Sequence, residues 1–296
     1  MKKWNLIVDV ARCHNCNNCV LASKDELVGN EFPGYTAPHT AHGPGVMRIR
    51  RHVSGATPMV DVTYVPTMCN HCDDAPCIKR AGDGAIRKRE DGIVMIDPVK
   101  AKGRRDLVEA CPYGSIVWNE EQQLPQNWFF DAHLLDAGAA APRAVGVCPT
   151  QALQALKESD AAMAERAARE ELRVLEPELG TRPRVWYRNL DRVDHCFIGG
   201  TVSRSSEGTT ECVAEATVEL YHEGTRVMSS STDVFGDFRF NGLAPESGEY
   251  EVRVRQGGDR RTVRVKLRAE SVYLGEITLT SAEADVAPRS LALSDA

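Results

Sequence analysis

The chain has 296 residues, of which 42% are hydrophobic and 26% charged, and its formal net charge is −6. This length is sufficient for two domains, and the composition is that of an ordinary soluble protein. Because the net charge is negative, composition gives no reason to expect nucleic acid or an anionic membrane surface as a partner.

The N-terminal segment predicts a strand over Trp4–Val10, where apolar and polar residues alternate. Ahead of it stand Lys2 and Lys3, with only a short apolar stretch after them, so the segment is neither a signal peptide nor a twin-arginine leader. No apolar run approaches membrane-spanning length. We therefore expect a cytoplasmic protein without membrane insertion.

Eight of the ten cysteines form two triplets and two Cys-Pro pairs. The triplets are Cys13-x2-Cys16-x2-Cys19 and Cys69-x2-Cys72-x4-Cys77, and the single cysteines are Cys111 and Cys148, each followed by proline. In bacterial ferredoxins, three close thiolates hold one cluster, and a Cys-Pro thiolate from a distant segment completes the other. Each triplet together with one Cys-Pro thiolate offers four ligands, so the eight cysteines are sufficient for two [4Fe–4S] clusters.

Disulfides and zinc are the other interpretations of these cysteines. Disulfides need an oxidising compartment, of which the N-terminal segment gives no sign. Zinc sites usually show paired C-x2-C knuckles rather than triplets with remote Cys-Pro partners. Iron–sulfur ligation is therefore the favoured interpretation. Cys196 and Cys212 lack ligand spacing and are interpreted as ordinary reduced cysteines.

The chain around the triplets predicts loops with few regular elements. Residues 24–66 form an insertion between the triplets that is rich in Gly, Pro and His and includes two strand-like runs. Residues 92–97 predict a short strand, and residues 101–110 predict a helix that leads into Cys111. Metal binding and folding are expected to be coupled in this half of the chain.

The middle of the chain predicts a connection between two domains. Residues 160–175 have high helix propensity and an acidic start, which predicts a solvated helix. Residues 177–193 predict extended chain that crosses to the second domain. The acidic pairs Asp73-Asp74 and Glu120-Glu121 are interpreted as solvated rather than catalytic.

The C-terminal part changes to short alternating strands separated by turn signals, which indicates a small all-β sandwich. A run around Gly236 resembles the transthyretin-like, carboxypeptidase-regulatory-type repeat. In that resemblance Gly236 makes a turn, and Phe238 and Phe240 face the core. The predicted strands are Ala216–Tyr221, Arg226–Ser231, Phe238–Phe240, Tyr250–Arg255, Thr262–Leu267 and Leu274–Leu279.

The predicted fold class is α+β, in two domains with a connector. A ferredoxin-like, double-cluster-binding domain of two pseudo-ferredoxin units with insertions occupies residues 1–158. A helical and extended connector follows over 159–193, and a transthyretin-like β-sandwich over 194–280. Residues 281–296 are polar and are predicted to form a disordered tail.

The cysteine blocks and their order resemble the iron–sulfur subunits that partner molybdopterin oxidoreductases of the dimethyl sulfoxide reductase type. Within that family, the chain is similar to the branch that includes the small subunits of pyrogallol–phloroglucinol transhydroxylase and resorcinol hydroxylase. A C-terminal sandwich also fits this branch. The supporting stretches are Phe32-Pro33-Gly34-Tyr35-Thr36, Arg89-Glu90-Asp91-Gly92-Ile93-Val94, Cys111-Pro112-Tyr113-Gly114 and Ala132-His133-Leu134-Leu135-Asp136.

The resemblance implies two [4Fe–4S] clusters and a large catalytic partner. Paired by the ferredoxin rule, Cys13, Cys16, Cys19 and Cys148 hold cluster 1, and Cys69, Cys72, Cys77 and Cys111 hold cluster 2. Bis-MGD molybdenum is expected only in the partner, because this chain offers no pterin pocket and no catalytic constellation. The implied function is an electron-transfer or structural subunit of a heterodimeric oxidoreductase or hydroxytransferase that acts on phenolic compounds.

The chain departs from the wider family, which has four blocks of four cysteines and four clusters. Eight of the family's cysteine positions hold other residues: Ser23, Ala81, Ala101, Arg104, Leu107, Trp128, Asp131 and Ala144. We expect protein to fill the two missing cluster sites, with the bulk of residues 128–130 in one and the helix over 101–107 in the other. If the family's cluster order transfers, the chain keeps the first and third clusters and conducts electrons poorly.

Two alternative functions stay open at this point. One is a free-standing two-cluster ferredoxin, against which the sandwich and the insertion at 24–66 argue, because a soluble shuttle needs neither. The other is a purely structural subunit whose clusters only stabilise the fold. The missing clusters make this second alternative more plausible than in relatives.

Overall fold

The computed structural model describes residues 1–206 and 209–279, and it divides into two compact units. The first comprises residues 1–52 and 63–190, and the second comprises residues 53–62 and the described chain from Asp191 onward. The predicted tail over 281–296 lies outside the described residues. Among the helices described, none is both long enough and apolar enough to span a bilayer.

Helices are few and short in the described chain, which is mostly β-structure and loops. They are α1 (Asn18–Leu27), α2 (Pro76–Ala81), α3 (Ala132–Asp136), α4 (Arg143–Gly146), α5 (Asp160–Arg169) and α6 (Asp191–Asp194), and single 3-10 turns lie at Val10–Arg12, Arg105–Leu107 and Pro177–Leu179. The strands of the N-terminal part are β1 (Lys2–Asp9), β2 (Arg48–Ala56), β3 (Met59–Thr67), β4 (Ile86–Lys88), β5 (Val94–Ile96), β6 (Val117–Asn119), β7 (Leu124–Gln126), β8 (Leu153–Ser159) and β9 (Val185–Arg188).

A three-stranded sheet in the order β8-β1-β9 forms the centre of the first unit. In β1, Leu6 lies opposite Ala155 of the antiparallel β8 and opposite Val185 of the parallel β9. The run Leu6–Val8 is no more than 1% exposed, as expected of a central strand that is covered on both faces. The first predicted strand is therefore confirmed and is the middle of this sheet.

One prediction about the middle of the chain is wrong, and two others hold only in part. Residues 101–110 form turns and a single 3-10 turn at Arg105–Leu107 instead of a helix, with Gly103 in a left-handed conformation (φ +79°). The helix predicted over 160–175 ends at Arg169, and Glu171 just beyond it is also left-handed. The predicted extended crossing contains β9, which the parallel pairing with β1 builds into the first unit.

Three two-stranded hairpins complete the strand pairing of the N-terminal part: β2 with β3, β4 with β5, and β6 with β7. The β4–β5 hairpin buries Ile86, Val94 and Ile96 in one apolar cluster with the second cysteine triplet. This hairpin therefore forms one wall of the space around those cysteines.

The second unit contains two four-stranded sheets. The strands are β10 (Cys196–Ser206), β11 (Thr209–Cys212), β12 (Thr217–His222), β13 (Thr225–Ser231), β14 (Asp237–Leu243), β15 (Gly248–Gln256), β16 (Asp259–Leu267) and β17 (Val272–Leu279). One sheet has the order β11-β10-β14 with β17 parallel to β10, and the other has the order β13-β12-β15-β16. Side chains of both sheets share one apolar core, which confirms the predicted sandwich.

The turn before β14 depends on a glycine. Gly236 has φ +81°, its N–H donates to the Asp233 carbonyl, and its own carbonyl accepts from Val202 N at 2.7 Å. A Cβ on Gly236 would collide with the carbonyl oxygen of Val202. The following Phe238 and Phe240 are both 3% exposed, so the predicted roles of the glycine and of the two aromatics are confirmed.

Replacement of this glycine should destabilise the sandwich more than replacement of a glycine in an open turn. Gly224 has a similar φ of +78° but nothing within 4 Å of a built Cβ, so Gly224→Ala is the matched control. Both substitutions incur about 1–2 kcal/mol for an L-residue in the left-handed region. Gly236→Ala adds the backbone collision, and its free energy of unfolding should fall further. Circular dichroism melts of the full chain measure this, and equal losses in the two variants would contradict it.

Candidate metal centres

The structure brings the first cysteine triplet together with Cys148. Cys13 directly follows the 3-10 turn after β1, and Cys19 lies in the first turn of α1. Left-handed Asn15 and Asn17 fold the loop between them. The pKa of the Cys19 thiol is raised to about 11, chiefly by burial and to a smaller extent by the neighbouring thiols of Cys13, Cys148 and Cys16, in decreasing order of effect. The four sulfurs therefore lie close enough to interact electrostatically.

The second triplet and Cys111 surround a cavity. It is lined by Cys69, Cys72, Cys77 and Cys111, together with mainly apolar side chains. Burial is the largest cause that raises the pKa of the Cys77 thiol to about 12, followed by the Cys111 and Cys72 thiols. Binding of a metal to the buried Cys77 thiol must therefore release a proton.

The two groups of thiols differ in exposure. In the second group, the three triplet thiols are less than 10% exposed and only Cys111 is half-buried. In the first group only Cys19 is buried, whereas Cys13 and Cys148 are half-buried and Cys16 is exposed. The second group is thus part of the core of its unit, and the first lies near the surface.

The donor set fits iron–sulfur clusters. Each group offers four soft thiol ligands, the set that a cubane needs. Across residues 1–206 and 209–279, no three His, Cys, Asp or Glu side chains converge on a point where one metal ion could be held. The thiols of the second group surround the apolar cavity instead, and the Ser115 N–H points to the Cys111 sulfur at 3.4 Å.

Charged side chains fix the loop of the second triplet. The ammonium of Lys88 donates to the carbonyls of His71 (2.7 Å) and Cys72 (2.9 Å) and pairs with Asp73 at 3.0 Å. Arg184, which is 4% exposed, donates to Asp73 at 2.8 Å. The interpretation of Asp73 as a solvated carboxylate is therefore wrong, because it is an ion-pair partner that holds this loop.

The segment Thr181–Arg184 also binds this loop through the backbone. Arg184 N donates to Asn70 O at 2.8 Å, Asp73 N to Arg182 O at 2.9 Å, and Asp74 N to Thr181 O at 3.0 Å. Thr181 and Arg184 were missed as site residues. A segment rich in charge and proline before β9 offers no local pattern that predicts pairing with a loop more than 100 residues away.

Protein fills the positions where the wider family would supply the ligands of one missing cluster. Ala81, Ala101 and Leu107 are 6%, 0% and 0% exposed, and all three belong to the apolar cluster that contains the second triplet. Arg104 instead points outward to ion pairs with Asp83 and Asp106. The filling therefore comes from these side chains on turns, and not from the predicted helix.

Aromatic and hydrogen-bonded side chains occupy the other set of substituted positions. Trp128 is 0% exposed, packs against Phe130 at 4.9 Å between ring centroids, and donates from Nε1 to Asp131 at 3.1 Å. Ala144 is also 0% exposed, and Ser23 donates to the sulfur of Met47 at 3.0 Å. These residues form ordinary internal packing.

His71, between two cysteines of the second triplet, was also missed as a site residue. Its Nδ1 accepts from Val94 N at 3.0 Å, and burial lowers its pKa to about 3, so the ring is neutral with its proton on Nε2. The ring lies 5.9 Å from that of Trp128 and 5.4 Å from that of Phe130, between centroids. It therefore links the second triplet to the aromatic packing.

Two family models match the chain. The 4Fe-4S dicluster domain matches residues 60–158, which include the second triplet, Cys111 and Cys148. The carboxypeptidase regulatory-like domain matches residues 198–280. These matches confirm the predicted combination of an iron–sulfur domain with a carboxypeptidase-regulatory-like sandwich. The division of the first domain into two pseudo-ferredoxin units stays a prediction.

Similar proteins are subunits of multi-subunit enzymes. The pyrogallol hydroxytransferase small subunit of Pelobacter acidigallici is 41% identical over 282 residues, which are 94% of this chain and 100% of that protein. A tetrathionate reductase subunit of Salmonella typhimurium is 32% identical, over 64% of this chain and 73% of that protein. A putative dimethyl sulfoxide reductase iron-sulfur subunit of Halobacterium salinarum is 30% identical, over 64% and 80% respectively. The chain belongs to the family of iron–sulfur subunits of dimethyl sulfoxide reductase-type molybdopterin enzymes.

Proposed function

We propose that the chain is the small, non-catalytic subunit of a heterodimeric hydroxytransferase or oxidoreductase that acts on phenolic compounds. A large subunit would carry the bis-MGD molybdenum and the substrate. The observation that carries this proposal is the likeness to the pyrogallol hydroxytransferase small subunit, which extends over 94% of the chain and includes the sandwich.

Two [4Fe–4S] clusters are proposed as the cofactors of this chain. Cluster 1 would be held by Cys13, Cys16, Cys19 and Cys148, and cluster 2 by Cys69, Cys72, Cys77 and Cys111. When bound, such clusters supply one-electron transfer. The protein contributes the four soft ligands of each group, the apolar walls of the second group and the ion pairs that fix its loop.

The two groups leave a gap in the electron pathway of the wider family. Ala81, Ala101 and Leu107 pack as core, and Trp128 is fully buried by aromatic neighbours, so the described chain offers no thiolates at those positions. Because electron tunnelling falls steeply with distance, loss of two stepping stones makes the subunit a poor conductor. This suits transfer of a hydroxyl group between two phenols, which has no net redox change.

A structural role for the clusters is the second candidate function. The three triplet thiols of the second group lie in the same apolar cluster as Ile86, Val94 and Ile96, so a cluster there would replace part of an ordinary core. The two candidate functions differ in the role of the first group of thiols, which lies near the surface. In an electron-transfer subunit its cluster could exchange an electron with a bound partner, whereas in a structural subunit it would not.

Removal of one ligand of the first group separates the two candidates. An affinity-tagged chain, purified anaerobically from its own cells, should bring with it a large molybdenum-containing subunit and hydroxytransferase activity toward pyrogallol. Cys148→Ala should halve the iron, to about four atoms per chain, and abolish the activity while the complex still assembles. Cys212→Ala changes an exposed cysteine outside both groups and is the control.

Other outcomes of this experiment contradict the proposal. Full activity of Cys148→Ala with half the iron would favour the purely structural subunit. Purification of the chain without a partner, with both clusters bound and reducible, would favour a free-standing ferredoxin instead.

The buried side chains at the positions of the missing ligands should slow the loss of cluster 2. Leu107→Ala removes a fully buried side chain beside the second triplet and should cost about 2–5 kcal/mol. This variant should release iron to a chelator faster, and the loss of visible absorbance measures the rate. Leu21→Ala, at a position that is 61% exposed, is the control. Equal release from the two variants would show that this packing does not support the site.

A further inference from the structure

We propose that Asp131 is a positioning residue: it fixes α4 and thereby holds Cys148 in place as a ligand of cluster 1. Glu26 of α1 acts with it on the same helix. The inference rests on the proposed function, because it requires a cluster on the first group of thiols. It gives a role to one of the residues that stand where the wider family has cysteines.

Cys148 depends on α4 for its position. The helix ends at Gly146, just before this cysteine, and the Cys148 N–H donates to Val145 O at 3.2 Å. A single short helical turn is not stable by itself in water. The other three ligands of cluster 1 belong to the first triplet, near the N-terminus. Contacts with the rest of the unit must therefore fix α4.

The Asp131 carboxylate meets the first residue of α4. Asp131 is 0% exposed, its Oδ2 accepts from Arg143 N at 2.8 Å, and its Oδ1 accepts from Trp128 Nε1 at 3.1 Å. The first N–H groups of a helix have no partner within that helix, and the carboxylate supplies one for Arg143. A cysteine thiol is only a weak acceptor, so it could not replace the carboxylate in both contacts.

The side chain of Arg143 connects the same helix to α1. Its Nη1 donates to Glu26 Oε2 at 2.8 Å, and its Nη2 pairs with Asp25. The other carboxylate oxygen of Glu26 lies 2.8 Å from Nε2 of His133 in α3. Because α1 carries Cys19 in its first turn, Glu26 and Arg143 connect the helix of one ligand to the helix that leads to another.

These contacts act on the distance between Cys148 and the first triplet. A cubane needs four thiolates at its corners, so this distance must be held. Cys148 is only half-buried, and the packing around its own side chain constrains it weakly. The Arg143 N–H fixes where α4 begins, and the Arg143 guanidinium fixes how α4 lies against α1. Cluster 2 takes Cys111 instead of Cys148, so loss of these contacts should affect cluster 1 alone.

Iron release to a chelator, followed with low-temperature EPR after reduction, tests the proposal on the anaerobically purified full chain with its clusters. Asp131→Asn keeps the shape but replaces one acceptor oxygen with an NH2 donor, so one of the two N–H partners is lost. Half of the iron should leave about tenfold faster than from the unmodified chain, because a buried hydrogen bond to a charged group is lost. The EPR signal that Cys148→Ala lacks should decay with this half, and the other half should leave at an unchanged rate.

Two further variants separate positioning from general destabilisation. Asp136→Asn is the matched control, because Asp136 lies in the same α3 but pairs with Arg89 and Tyr35 rather than with α4. It should leave the release from cluster 1 unchanged. Glu26→Gln removes the charge that holds the Arg143 side chain and should accelerate release from cluster 1 by a smaller factor. If Asp131→Asn does not fold, Glu26→Gln decides alone.

Several results would overturn the inference. These are unchanged release from Asp131→Asn, equal acceleration of both halves of the iron, and the same acceleration in Asp136→Asn. Clearly more than about eight irons in the unmodified chain, with a loss of iron in Asp131→Asn, would make Asp131 an iron ligand instead. Absence of clusters from the unmodified chain would defeat the proposed function and this inference with it, whereas intact clusters with unchanged release would defeat the inference alone.

Discussion

Iron–sulfur ligation in the first unit would require cysteine thiols to lose their protons in places where burial opposes their ionisation. Burial raises the pKa of Cys19 to about 11 and that of Cys77 to about 12. Thiolates in such places are stable only if a cation shares their charge. We therefore propose that metal binding and folding are coupled in these loops.

The second group of thiols shows how the surrounding protein favours metal binding. Lys88 and Arg184 supply positive charge and hydrogen bonds to the loop of the triplet, while Ala101 and Leu107 close the apolar wall where the wider family would place further ligands. Loss of a cluster site in this chain has not left a polar void. Small and aliphatic side chains fill one set of substituted positions, and Trp128 with its aromatic neighbours fills the other.

Much of this could be predicted from the amino-acid pattern, because its signals are local and strict. Cysteine spacing predicted which thiols lie near one another in the structure, and alternation with turn residues indicated most strands of the sandwich. The strand β9 and the backbone pairing of Thr181 with the loop of the second triplet could not be predicted, since both depend on contacts across more than 100 residues. The prediction of a helix over 101–110 was wrong. Ala101 and Leu107 both pack into the apolar cluster that contains the second triplet, and the left-handed conformation of Gly103 between them interrupts a helical backbone.

The two groups of thiols are proposed to hold two cubanes, with no third cluster in the chain. Iron and acid-labile sulfide per chain, measured on anaerobically purified protein with low-temperature EPR after reduction, test this most directly. Two [4Fe–4S] clusters require about eight irons and eight sulfides per chain, and this is the result we predict. Clearly more iron would mean that one of the filled positions binds a further cluster, and zinc in place of iron would contradict iron–sulfur ligation altogether.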